Sequence, residues 1–402
     1  MKQPLSRTIS PETARMLELG HPWVVADGFT KRWQGGATGD LIELVDGSGR
    51  FLATALLDPA ERVVARVLAK ERIRLDRSWL KARLEAAARL RKDHADLADS
   101  DAYRLVNAEG DGLPGLTVDR YGEFLMVQLF SSAWKPHLGP LVQAIQDVFS
   151  PQGVYEKSRP VKTRELEAVS EGRVHGSLIA GVHAPEQLLV RENGLNFLVR
   201  LRSGLNTGLF IDQRKNRREI MPRVKGKRVL NLFSYTGAFS VAAAASGASL
   251  VTSVDASSGY MEWARENFGA NRLNPKKHRF IVGDCFSVLQ DLAKKEDRYD
   301  MIIMDPPSFS TTGKSMFTTR KGTSDLVAAA LAILPDGGML VTSSNHQKVD
   351  IAEYLKELRR GALQAKSELR VISLAGQPED FPYPVTFPEG RYLKFAICVK
   401  TG

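Results

Sequence analysis

Three aspartates in the second half of the chain, Asp255, Asp284 and Asp305, each close a short apolar run: SLVTSVD, RFIVGD and MIIMD. A carboxylate at the mouth of a buried strand accepts hydrogen bonds from hydroxyls and amines of a ligand held there. Asp255 follows Asn231 by 24 residues, the spacing at which a carboxylate meets both hydroxyls of a ribose. Asp284 is placed for the exocyclic amine of an adenine. The loop NLFSYTGAFS (231–240) before them holds one glycine, Gly237, with Phe233 and Tyr235 beside it. A pyrophosphate-binding turn needs G-x-G-x-x-G at that point. The pattern therefore describes a ligand with an adenosine and no phosphates. Helix N-capping is the plainer use of Asp; it explains any one of the three and explains the set poorly.

The third carboxylate opens MDPPSFS (304–310). Pro306 and Pro307 fix φ and remove two amide donors, so their carbonyls stand rigidly toward whatever lies in front of them. Phe309 offers a face on which a base can stack, or is an ordinary core aromatic.

These residues need a scaffold, and from about residue 226 strand-like and helix-like runs alternate. KRVLNLFS, SLVTSVDAS, HRFIVGDC, YDMIIMDPP, GGMLVTSSN and LRVISLAG are separated by amphipathic or Ala-rich stretches, with helices expected at 322–333 and 350–363. Apolar strands alternating with helices mark a doubly wound α/β sheet covered on both faces. The last strand, RYLKFAICV, follows a Pro-rich loop instead of a helix and is expected to run antiparallel. Ahead of this region, residues 1–72 carry short β-type runs between turn residues, the texture of a small all-β module. Residues 73–200 read as a compact α+β domain, with a helix near 77–98 and a hairpin turning at Asn193-Gly194. The α/β part takes 201–402.

The chain has 402 residues, with 43% hydrophobic and 25% charged, the balance of a globular protein with more than one domain. Its 56 Lys and Arg against 46 Asp and Glu leave a formal charge of +10, which favours an anionic partner such as nucleic acid. Cys285 and Cys398 are the two cysteines, too few for a disulfide framework or a zinc cluster, and no metal is expected. No stretch has the length of a signal peptide's apolar core or of a membrane span, so a cytoplasmic protein without a membrane partner is expected. Whether it acts as a monomer or a homodimer is not set by the sequence.

The combination resembles class I S-adenosylmethionine-dependent methyltransferases. More narrowly it is similar to bacterial large-subunit (23S) ribosomal RNA methyltransferases that join a PUA domain, a central α+β domain and a Rossmann-like catalytic domain. HPWVV (21–25) with RVVARVLA (62–69) resembles the PUA module, and EGDGLPGLTVDRYGEFLMVQ (109–128) the central domain. TGLFIDQRKNRREI (207–220), VLNLFSYTGAFS (229–240) and MDPPSFS resemble the catalytic part. The resemblance implies S-adenosyl-L-methionine as cofactor. Phe233, Ser234, Tyr235, Thr236 and Gly237 would lie on its homocysteine side, Asp255 on the ribose, and Asp284 with Cys285 at the adenine. Asp212, Gln213 and Arg214 would cover it, and Asp305, Pro306 and Phe309 would line the acceptor pocket.

One departure bears on mechanism. Cytosine-5 members of this family attack the base with a cysteine just after the fifth strand, and here that strand reads GGMLVTSSNHQ (337–347), with Ser344 in its place. A hydroxyl without a base is a poor nucleophile; His346 is a candidate base or simply a solvated residue. A D-P-P-aromatic stretch is also how many nitrogen methyltransferases hold an amine, and a guanine-N7 type in ribosomal RNA has asparagine and serine here. Asn345 is then a base-edge contact, or a turn residue.

For RNA, the run RKNRREIMPRVKGKR (214–228) offers Arg217, Arg218 and Lys225 to phosphates, and SRPVKTR (158–164) adds Lys162; a solvated charge run is the plainer reading. The leading function is thus a ribosomal RNA methyltransferase. Its rivals are an RNA-binding or assembly factor that keeps the cofactor fold without catalysis, and a small-molecule methyltransferase. Intact Asp255, Asp284 and Asp305 oppose the first, and the basic PUA-like front opposes the second.

Overall fold

A computed structural model describes residues 5–158, 176–204, 206–307, 309–312, 315–318 and 322–401. The chain divides into two units: Met1–Leu188, Arg200–Thr207 and Glu379–Gly390 in one, Leu189–Val199, Gly208–Pro378 and Arg391–Gly402 in the other.

The first unit holds two five-stranded sheets. One takes Leu5–Thr8, Leu41–Val45, Phe51–Leu57, Val63–Ala69 and Trp23–Val25 in spatial order. Its core of Ile42, Leu44, Ala53, Ala55 and Leu57 comes from alternate positions of LIELV and FLATALL. Helix Pro11–Glu18 starts where Ser10 accepts from the Thr13 amide. The other sheet runs Gly176–Gly181, Gly153–Ser158, Phe124–Leu129, Leu116–Tyr121, Ala102–Asn107. Helices Arg77–His94 and Leu138–Phe149 bury Leu80, Leu84, Leu141 and Ile145 in its core.

The loop Glu379–Gly390 is fastened into this unit, although it lies near the end of the sequence. Asp380 is buried; its carboxylate accepts from the Arg104 amide at 2.9 Å and its carbonyl from Arg91 at 2.8 Å. Phe381 lies 4.3 Å beneath the Arg104 guanidinium. Asn107 donates to the Pro382 carbonyl at 2.7 Å.

The second unit is built on a seven-stranded sheet. Its strands are β1 (Arg228–Leu232), β2 (Leu250–Asp255), β3 (Arg279–Val282), β4 (Met301–Met304), β5 (Met339–Ser344), β6 (Glu368–Ala375) and β7 (Lys394–Thr401). The spatial order is β3-β2-β1-β4-β5-β7-β6. β1 to β5 pair in parallel, and β7 runs antiparallel to both neighbours, as the helix-free connection requires. Both faces are covered, which is why β4 is apolar throughout. The helices are α1 (Arg214–Ile220), α2 (Ala238–Ala245), α3 (Ser258–Ala270), α4 (Cys285–Lys294), α5 (Thr323–Ala332) and α6 (Ile351–Gln364).

The hairpin of Leu188–Glu192 and Leu195–Val199 turns at Asn193 (φ 51°) and Gly194 (φ 77°), both left-handed as a type I′ turn requires. The sequence groups it with the central domain; in the structure it packs on α3. Asn267 accepts from the Leu198 amide at 2.9 Å, and the Trp263 indole donates to the Leu198 carbonyl at 3.0 Å. A short ribbon, Phe309–Thr312 paired with Ser315–Thr318, follows the proline pair and has no counterpart in the sequence reading. Among the described residues no helix is long and apolar enough to cross a membrane.

Candidate active site

The pairing of β4 with β5 runs to Met304↔Thr342. One step beyond it stand Asp305 and Ser343, and the Ser343 hydroxyl donates to Asp305 Oδ1. Gln213 Nε2 donates to Asp305 Oδ2 at 3.1 Å and to Ser343 Oγ at 3.2 Å. The Gln213 carbonyl in turn accepts from Asn216 at 2.6 Å. Burial pushes the Asp305 carboxyl up to about 6; the Ser343 and Gln213 donors and the Arg217 charge pull against that, while Asp212 adds to it. At neutral pH the group is therefore mostly a carboxylate, able to accept further protons in hydrogen bonds. Tyr392 closes the neighbouring side by donating to Asp212 at 2.7 Å.

Around β1 and β2 the backbone is strained. Phe233 (φ 55°), Tyr235 (φ 52°) and Gly237 (φ 78°) are all left-handed, two of them without glycine's freedom. Gly237 is obligatory on a second count: a Cβ there would lie 2.9 Å from that of Ala264. The loop is held by Ser234, which donates to the Val254 carbonyl at 3.1 Å, and by Thr236, which donates to the Gly208 carbonyl at 2.5 Å. Asp255 accepts from the amides of Tyr235 at 2.9 Å and Ser257 at 3.0 Å. Burial raises its pKa, and these amides oppose the rise. Tyr235 packs edge-on to Tyr260 at 4.5 Å and against Phe210 at 5.1 Å.

Asp284 caps α4: one oxygen accepts from the Ser287 amide at 2.9 Å and hydroxyl at 3.1 Å. Helix capping thus accounts for one of the three strand-end carboxylates, since Ser257 caps α3 and prolines follow Asp305. Cys285 is buried beside it, its thiol pushed up to about 12 by burial while the Phe233 amide donates to the sulfur. No Lys or Arg occurs in 231–241, 255–261, 283–288 or 305–310, the segments at the ends of β1 to β4. These four segments, with acceptors and aromatic rings and no cation among them, fit an uncharged adenosine better than a phosphate.

Other candidate residues lie just before α1, on it and in the run that follows it. Gln213, expected to cover the cofactor, is buried against Asp305 and Ser343. Arg214, expected beside it, is buried at the start of α1. Arg217 is not a phosphate ligand: it is buried and forms a two-bond ion pair with Glu192, because a cation on the inner face of α1 needs a counter-ion. Arg223 pairs with Glu219 at 2.9 Å and Arg228 with Asp297. Of the basic run, Lys215, Arg218 and Lys225 are exposed. Lys162 lies outside the described residues, as does the Phe309 side chain.

At the end of β5, Ser344 is buried and Asn345 is exposed. The His346 amide, not its ring, reaches the Ser344 hydroxyl, at 3.4 Å. Lys394, the register partner of Ser344, is buried and donates to the carbonyls of His346 at 2.6 Å and Tyr392 at 2.7 Å; burial lowers it to about 8. Cys398 lies within β7, pushed up to about 12 by burial. The reading of the sequence missed Ser343. Its signal, a serine pair at the end of an apolar strand, does not reveal which of the two faces Asp305. Among the described residues no group of three or more His, Cys, Asp or Glu is arranged to hold a metal.

Comparison with known proteins adds two family matches. Residues 115–386 match the family of S-adenosylmethionine-dependent methyltransferases, and residues 8–70 match a PUA-like domain. Ribosomal RNA large subunit methyltransferase I of Escherichia coli is 34% identical over 381 residues, 94% of this chain and 95% of that one. A methyltransferase crystallised with SAH superposes with a TM-score of 0.88 at 29% identity, covering 98% of this chain and 100% of the other. A SAM-dependent methyltransferase from Streptococcus mutans gives 0.85 at the same identity and coverage.

Proposed function

Since the chain belongs to the S-adenosylmethionine-dependent methyltransferases, we propose that it methylates a base of large-subunit ribosomal RNA by direct transfer to a nitrogen, with no covalent protein–RNA intermediate. The RNA substrate is supported by the relative from Escherichia coli, by the PUA-like domain and by the net charge of +10. The direct transfer is supported by one arrangement above the rest: Asp305 is held by Ser343 and Gln213 ahead of two prolines, while the two cysteines are buried at the start of α4 and within β7.

Bound S-adenosylmethionine supplies an electrophilic methyl group. Asp255 would hold its ribose, Asp284 and Cys285 its adenine end, and the loop Phe233–Gly237 its amino-acid side. On the acceptor side Asp305, ionised above about pH 6, accepts an N–H of the base. The Pro306 carbonyl accepts beside it, and Phe309 stacks on the ring. Asn345, exposed at the end of β5, meets a base edge. Together they orient a nitrogen lone pair and exclude water, which is what an in-line displacement needs. Attack at a cytosine ring carbon would instead need a thiolate. Cys285 and Cys398 are both buried with thiols near 12; among the described residues the Ser344 hydroxyl is reached by the His346 amide, a donor, and its register partner Lys394 donates to two carbonyls instead.

The test is to incubate the enzyme and the Cys285→Ser, Cys398→Ser variant with ribosomal RNA and identify the methylated nucleoside by mass spectrometry. Both proteins are expected to yield a nitrogen-methylated base, and RNA carrying 5-fluorocytosine is expected to stay free. A trapped protein–RNA adduct, or a folded double variant that binds cofactor and transfers nothing, overturns the mechanism.

A further inference from the structure

We propose that Gln213 and Ser343 are positioning residues for Asp305, held as hydrogen-bond donors toward its carboxylate, with Asn216 supporting the Gln213 amide at its oxygen end. The inference rests on the role given to Asp305 above.

A glutamine amide has a donor end and an acceptor end of nearly equal size, and turning it over exchanges them. In this site Asp305 decides the choice, because a carboxylate only accepts and so takes the NH2 end. Asn216 Nδ2 lies 2.6 Å from Gln213 Oε1 and supports the other end of the amide. Turned over, Gln213 would present an oxygen to a carboxylate and to a hydroxyl already donating elsewhere.

Asn216 is poorly explained by stability. It is fully buried on α1, one turn from Gln213, and its own Oδ1 meets no donor of the protein. A buried amide with one end unsatisfied costs free energy, and an apolar side chain of that size would avoid the cost. The single side-chain bond it does make is the one to the Gln213 oxygen. Ser343 completes the set from β5, giving each carboxylate oxygen of Asp305 one donor.

The consequence is electrostatic. Donors to the ionised form favour it, and here they oppose the effect of burial. Among the described residues the other ionisable groups facing Asp305 are Asp212, just ahead of α1, Arg217 on α1 and Tyr354 on α6. Asp212 disfavours the charge, Arg217 is committed to Glu192, and the Tyr354 hydroxyl donates to Thr342. Among the described residues the Gln213–Ser343 pair therefore does most to keep the carboxylate charged near neutrality, with Arg217 a smaller aid.

The experiment titrates Asp305 directly, by carboxyl 13C NMR of the full chain labelled at aspartate, with the resonance assigned by its loss in Asp305→Asn. In Gln213→Met and Asn216→Leu the midpoint is expected to rise by roughly one pH unit, and the acid limb of the methyl-transfer rate to move with it. Ser343→Ala should raise it as well, and Ser343→Thr, which keeps the hydroxyl, should restore it. Asn216→Leu is the sharpest arm: it removes one unpaired buried oxygen and leaves another, Gln213 Oε1, so its stability should stay close to the wild type while its midpoint moves. Unchanged midpoints in the folded Gln213→Met and Asn216→Leu proteins overturn the inference. Midpoints that rise while Asp305→Asn still transfers methyl groups at the wild-type rate leave the inference standing and remove the proposed role of Asp305.

Discussion

Arg217 and Glu192 meet through two hydrogen bonds of 2.6 Å each, between side chains exposed by 2% and 1%. The pair links α1 to the hairpin that precedes it in the chain. Removing one partner leaves the other charged and buried, so Arg217→Ala is expected to lose about 3–5 kcal/mol of stability. Replacing both, as Arg217→Met with Glu192→Leu, should recover most of that. Urea unfolding of the three proteins checks it; a mild Arg217→Ala would show that the pair is dispensable.

RNA affinity is expected to depend on the outward cations instead. Arg218→Ala with Lys225→Ala should weaken binding at low salt and flatten the plot of log affinity against log salt. The loss of slope should be at most about one unit per phosphate contact removed. Titrations at several salt concentrations measure the slope directly. If it is unaltered, RNA is held by another surface.

Cofactor binding tests Asp255. Two backbone amides already occupy this carboxylate, so Asp255→Ala removes both a ligand acceptor and the anchor of the Phe233–Gly237 loop. A loss of about 1–3 kcal/mol in S-adenosylmethionine binding is expected, the cost of leaving buried donors unpaired. Calorimetry on the folded variant decides it, and unchanged affinity would displace the ribose from this residue.

Asp305 should leave a signature in stability as well as in activity. Its carboxyl titrates near 6 in the folded protein against about 3.9 when unfolded. The folded state therefore binds the proton more tightly, and its stability falls as pH rises from about 4 to about 6. Asp305→Asn removes that dependence. Relative to wild type, the variant should gain on the order of 2 kcal/mol between pH 4 and pH 7, while methyl transfer is lost. Parallel stability curves across that window would mean the carboxyl titrates normally.

The sheet was legible because its strands are buried on both faces and so stand out as apolar runs such as MIIM and MLVTSS, separated by helices. The carboxylates at their ends were legible for the same reason, since chain position fixes them at the strand mouths. Direction was not. Nothing in RKNRREI says that Arg214 and Arg217 turn inward and Arg218 outward, because α1 is two turns long and its counter-ion, Glu192, comes from a hairpin 25 residues away. Likewise Gln213 meets Ser343 across 130 residues, a contact that only the register of β4 and β5 and the docking of α1 create. Local pattern gave the elements; side-chain partners set by tertiary packing lay beyond it.

The loop at Glu379–Gly390 also governs when the protein can finish folding. As the chain leaves the ribosome from its N-terminus, the two β-sheets of the first unit are complete long before residue 379 has been made. The pocket formed by Arg91, Arg104 and Asn107 must then wait for Asp380, Phe381 and Pro382. Until they arrive, Arg91 has Asp111 as its ionic partner, but the Arg104 backbone amide and the Asn107 side-chain amide lack the acceptors that the loop brings. Three segments of each unit alternate along the chain, so neither unit is a vectorial product of synthesis. The first unit receives its last segment only just before β7 is made, so its final contacts form late in synthesis although its sheets are present early.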